Sequence, residues 1–133
     1  LGMAFAQPAI IQVLNKIKYP YNINILTQRQ ALAILKDKTQ VDQWVDNLLK
    51  QREELKKALH TVPYVQHIYP SDANFLLIKV NDANAVYRFL VGQSIIVRNR
   101  TTVALCEGCI RITVGTREEN EELIQTMKQF VQA

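Results

Sequence analysis

Arg98 and Arg111 are the residues of this chain best suited to chemistry. A guanidinium stays charged at any pH a cell reaches, and its planar fork matches a carboxylate or phosphate with two parallel hydrogen bonds. Both arginines lie in β-rich sequence. Ile95, Ile96 and Val97 lead into Arg98, while Ile110, Ile112 and Val114 alternate with Arg111 and Thr113. That period-two pattern gives a strand with one apolar and one polar face. Two strands ending in guanidinium groups make an anion site. The ordinary alternative is a pair of solvated or salt-bridged arginines on a sheet edge. Arg88, Arg100 and Arg117 are close in sequence and read as surface residues.

Other chemistries find little support. Cys106 and Cys109 form a lone C-x-x-C that precedes a strand, whereas a redox motif of that spacing opens a helix. His60 and His67 lie far upstream, at the wrong spacing for a compact zinc finger. Ser71 and Ser94 lack the glycine-flanked elbow of a serine nucleophile. The four glycines never cluster, which excludes a phosphate loop or a dinucleotide fingerprint. Sixteen basic against twelve acidic residues leave a net charge of +4, scattered rather than in blocks, which suits small anions at least as well as nucleic acid. No stretch approaches the ~20 apolar residues of a membrane span. Without a disulfide framework or signal peptide, the compartment reads as cytoplasmic.

The elements that must position the arginines follow from periodicity and caps. Leu1 to Ala6 reads as a buried strand that lacks a preceding turn, so a partner segment is expected upstream. Pro8 starts a helix with an apolar stripe at Ile10, Ile11, Leu14 and Ile17. Asn22 to Leu26 reads as a hinge, and Thr27 as the cap of a helix to about Lys36. The longest helix is expected from Gln40 to about His60 behind a Thr39 cap, with Trp44, Val45, Leu55 and Leu59 among its apolar positions. Strands are expected at Val65 to Tyr69, Asn74 to Val80, Ile95 to Arg98 and Ile110 to Val114. Asp82 caps an intervening helix that Gly92 stops. Thr116 and Glu119 form a capping box for the last helix, whose stripe is Leu123, Ile124, Met127, Phe130 and Val131. The order β-β-α-β-β-α is that of an α+β layer, a small antiparallel-rich sheet with helices on one face.

The run from Ser94 to Asn120 resembles the C-terminal region of histidinol-phosphate aminotransferases, pyridoxal-phosphate enzymes of the aspartate-aminotransferase fold. The residues that carry the resemblance are Ile95-Ile96-Val97-Arg98 and Gly108-Cys109-Ile110-Arg111-Ile112-Thr113-Val114-Gly115-Thr116-Arg117-Glu118-Glu119-Asn120. Asp72-Ala73-Asn74-Phe75-Leu76-Leu77 and Pro20-Tyr21-Asn22-Ile23-Asn24 match as well, and Leu1 to Ala6 resembles the strand after that family's cofactor-lysine segment. The resemblance implies that residues 1–24 are the last strand and helix of a cofactor domain plus a hinge, and residues 25–133 a small C-terminal domain. It implies that Arg111 grips the carboxylate of the amino donor and helps with histidinol phosphate, and that Arg98 helps hold that substrate's phosphate. The Schiff-base lysine matches a position upstream of Leu1, and Lys16 and Lys18 match neither it nor the phosphate-binding arginine. Catalytic and cofactor-binding residues are therefore expected outside this chain. Pyridoxal phosphate is expected in a full-length homodimeric enzyme and not on this chain alone. The expected partners are small carboxylate and phosphate substrates, with no nucleic acid and no membrane. Two other readings stand beside this one, a non-catalytic α+β binding module and an aminotransferase for aromatic amino acids.

Overall fold

The computed structural model describes residues 2–130 and divides into two compact units, Leu1–Asp42 and Gln43–Ala133. Leu1 and Val131, both singled out above, lie outside the described residues.

The first unit is helical. Helix α1 (Pro8–Ile17) places Pro8 in its first turn, where the missing N–H costs nothing. Helix α2 (Ile25–Lys36) is capped by Asn24, whose Oδ1 accepts from the Thr27 N–H at 2.9 Å; Thr27 is thus the donor to the cap and not the cap itself. Neither helix buries a residue. Residues 2–6 are exposed and form no strand, unlike the expectation for this stretch, since no neighbouring strand satisfies their backbone.

The second unit holds the sheet. Helix α3 (Thr39–Leu59) supplies Leu55 and Leu59 to its core, whereas Trp44 and Val45 stay exposed. Strands β1 (Val65–Ile68) and β2 (Phe75–Val80) are followed by helix α4 (Ala83–Gly92), strands β3 (Arg98–Asn99) and β4 (Cys109–Thr113), and helix α5 (Arg117–Gln129). The strand order is β1-β2-β4-β3, antiparallel throughout. Ile68, Leu76, Ile78, Val80, Ile110 and Ile112 point to one face of the sheet, where they pack with Leu55, Leu59, Val86, Leu90, Leu123, Ile124 and Met127 of the helices. The fold is the expected α+β layer.

Two local expectations are corrected. Gly92 does not stop α4. It is the last helical residue, and Ser94 takes the left-handed conformation instead, at φ 65°. Ile95 to Val97 then form no strand. The Ser94 and Ile95 N–H groups bond back to the Val91 and Leu90 carbonyls at 3.0 and 2.9 Å, which holds this segment to the helix end and off β4. A groove of about 460 Å³ opens between residues 94–97 and 112–115, and β3 is reduced to Arg98 and Asn99.

The turn from β4 to α5 is fixed from both sides. Thr116 Oγ1 accepts from the Glu119 N–H, and Glu119 Oε2 accepts from the Thr116 N–H at 2.7 Å, completing the expected capping box. The buried Asn120 side chain clamps Gly115 by accepting from its N–H at 3.0 Å and donating to its carbonyl at 3.1 Å. A Cβ on Gly115 would lie 2.6 Å from Glu119 Oε2, so a side chain there would displace the carboxylate that closes the capping box. The Gly-Thr-Arg-Glu-Glu-Asn run after β4 thus sets where β4 ends.

Candidate functional site

The helices cover one face of the sheet, and the other carries the polar residues. Alternation along each strand puts Phe75, Leu77 and Lys79 of β2 and Cys109, Arg111 and Thr113 of β4 on this second face, opposite the buried Leu76, Ile78, Ile110 and Ile112. Pairing then orders them in rows. Tyr69 bonds through its N–H to the Leu77 carbonyl, Leu77 pairs with Arg111, and Arg111 pairs with Arg98. The next row runs from His67 to Lys79 to Cys109, whose carbonyl accepts from the Arg100 N–H at 2.9 Å.

Arg98 and Arg111 are therefore direct cross-strand partners. Cα atoms so paired lie about 4.5–5.5 Å apart, and their side chains leave the sheet on the same side. Like charges in that position repel. Among the described residues neither arginine has a carboxylate partner; the ion pair is Arg117 with Glu121, on α5. Arg111 Nε is buried and has no hydrogen-bond partner. Two guanidinium groups thus stand side by side with no carboxylate among the described residues to compensate them, an arrangement that can receive an anion.

The placement differs from the sequence expectation for both arginines: Arg98 opens the two-residue β3 instead of closing a strand from Ile95, and Arg111 is the central residue of β4. The β3–β4 connection makes their pairing possible. Three successive turns wind it up: Val103 N–H to Arg100 O, Cys106 N–H to Val103 O and Cys109 N–H to Cys106 O. Gly108, at φ 72°, occupies the left-handed position of the last turn, next to the Val80 carbonyl.

Around this row the remaining candidates sort themselves. Cys106 and Cys109 are both free thiols. Burial pushes the Cys109 thiol up, while its hydrogen bond with Tyr69 and the charge of Lys79 pull the other way. His67 is exposed and packs edge-on against Tyr69, with ring centroids 4.6 Å apart. His60 follows the end of α3, also exposed.

Sequence reasoning missed Phe75. Its ring centroid lies 5.1 Å from Arg111 Cζ, a cation–π contact. The signal was weak, since Phe75 heads an apolar run in which both faces look alike. Only the register, Phe75 with Thr113 and Leu77 with Arg111, reveals that it sits diagonally beside the arginine.

Comparison with known proteins adds a second line of findings. The family model "Aminotransferase class I and II" matches residues 1–127. Histidinol-phosphate aminotransferases of Bacteroides fragilis and Parabacteroides distasonis are 51% and 53% identical to the chain over 130 residues, which is 98% of this chain and 38% of each relative. The crystal structure of the histidinol-phosphate aminotransferase from Clostridium acetobutylicum superposes with a TM-score of 0.83 at 20% identity, over 90% of this chain and 37% of that one. The chain thus spans a little over a third of the length of the curated relatives it matches.

Proposed function

The chain belongs to the class I and II aminotransferase family, and from that premise we propose that it forms the C-terminal, substrate-gripping part of a histidinol-phosphate aminotransferase. In this reading the whole enzyme moves an amino group between glutamate/2-oxoglutarate and histidinol phosphate/imidazole-acetol phosphate. It serves histidine biosynthesis in the cytoplasm as a homodimer that uses pyridoxal phosphate. Residues 1–24 close the cofactor domain, and residues 25–133 make the small domain.

The observation that carries the reading is the uncompensated arginine pair on the open face of the sheet. Both exchanging substrates are anions. Glutamate brings carboxylates and histidinol phosphate a phosphate, and each anion needs a planar or dense donor set. Arg111, mounted mid-strand with Ile110 and Ile112 locked in the core behind it, suits the carboxylate. Arg98, exposed at the start of β3, suits the bulkier phosphate.

In this reading the groups that hold pyridoxal phosphate lie outside this chain, and amino transfer is assigned to none of its residues. What these residues do is bind and orient the anions.

The test is a transamination assay of the full-length protein with 2-oxoglutarate as acceptor and either histidinol phosphate or an aromatic amino acid as donor. Histidinol phosphate is expected to be the better donor in kcat/KM by about tenfold or more, the scale of one charge-assisted contact. An equal or better rate with phenylalanine or tyrosine would overturn the assignment in favour of an aromatic amino-acid enzyme.

A further inference from the structure

The backbone around Phe75 is tied at several points. Arg52 Nη1, on α3, donates to the Ala73 carbonyl at 2.9 Å. Ser71 Oγ donates to the Phe75 carbonyl at 2.6 Å and accepts from the Ala73 N–H at 3.2 Å. The Val114 N–H donates to the Asn74 carbonyl at 2.9 Å. The backbone on both sides of Phe75 is thus tied to a helix, to its own turn and to β4. The Phe75 ring lies against the Arg111 guanidinium, 5.1 Å from centroid to Cζ.

A long arginine side chain on an open sheet face loses considerable rotamer freedom when it is ordered. A carboxylate neighbour would order it as well, but would neutralise it and occupy its donors. An aromatic face orders the cation through its quadrupole and accepts none of the in-plane N–H groups. The Arg111 guanidinium meets that ring and, among the described residues, no carboxylate. We propose that Phe75 is a positioning residue that holds the Arg111 guanidinium in place for the donor carboxylate, and so sets affinity for glutamate more than for histidinol phosphate. The proposal rests on the reading of Arg111 as the donor-carboxylate arginine.

The experiment is steady-state kinetics of the full-length enzyme with glutamate and with histidinol phosphate, on Phe75→Leu, Phe75→Tyr, Arg111→Lys and the Phe75→Leu/Arg111→Lys pair. Phe75→Leu is expected to raise the glutamate KM about three- to tenfold, the scale of a cation–π contact, with kcat little changed. The histidinol phosphate KM should move much less. Phe75→Tyr, which keeps the aromatic face, should keep the parent's glutamate KM, and Phe75→Leu should add less in the Arg111→Lys background than in the parent. If Arg111→Lys raises the glutamate KM but Phe75→Leu does not, the positioning role of Phe75 falls and the arginine reading stands. If Phe75→Leu raises both KM values alike and keeps doing so in the Arg111→Lys background, the residue acts through general packing and the proposal is again overturned. If Arg111→Lys itself leaves the glutamate KM unchanged, both readings fall together.

Discussion

Replacing Arg111 by lysine in the full-length enzyme is expected to leave the fold intact and to cut kcat/KM for glutamate by about 30- to 150-fold, or about 2–3 kcal/mol, the scale of a charge-assisted bidentate contact. The fold should tolerate the change because the Arg111 side chain makes no hydrogen bond and no ion pair with the described residues. Its register partner on β3 is Arg98, another cation, and lysine keeps the same pair of charges. Function should not tolerate it. Lysine keeps the charge but presents one tetrahedral ammonium in place of a planar fork, and it fits the ring of Phe75 less well. Thermal unfolding followed by circular dichroism, beside half-reaction kinetics with glutamate, separates the two effects. A variant that unfolds several degrees earlier, or that uses glutamate as well as the parent, would contradict the assignment.

The second large effect is expected on the opposite face of the same strand. Ile110→Ala should destabilise the protein by about 2–5 kcal/mol, the cost of truncating a fully buried aliphatic side chain. Ile110 has 0% exposure and sits between two paired strands, opposite Ile78 of β2 on one side and Asn99 of β3 on the other. Little collapse into the space is expected, because β4 is an inner strand and its far end is pinned by the Gly115–Asn120 clamp. Denaturant titration of parent and variant gives the difference. A loss below about 1 kcal/mol would mean that the core relaxes around β4, and that β4 is not the rigid mount on which Arg111 depends.

The residues that mount Arg111 were legible for local reasons. Ile110, Ile112 and Thr113 announce a half-buried strand by alternation, and Thr116 with Glu119 announces a helix start by a bond that spans three residues. What was not legible depends on contacts distant in sequence. The sequence reads Ile95 to Arg98 as a strand, but Ser94 at φ 65° turns the chain back onto α4, and only Arg98 and Asn99 reach β4. The facing of Arg98 and Arg111 follows from the wound-up loop between them, whose turns no composition rule predicts. Asn24 was overlooked as a cap because Thr27, three residues on, is of an equally suitable type. Phe75 was overlooked because a cation–π contact is a property of register.

Whether the open face of the sheet binds the substrate's phosphate is tested most directly by removing that phosphate and the Arg98 guanidinium, separately and together. The measurement is kcat/KM of the full-length enzyme for histidinol phosphate and for histidinol, with arginine or lysine at position 98. The parent should prefer the phosphorylated substrate, and Arg98→Lys should shrink that preference by about tenfold, the scale of one lost charge-assisted hydrogen bond, while glutamate turnover stays close to that of the parent. The same preference in Arg98→Lys as in the parent would contradict the assignment of this face to the substrate phosphate.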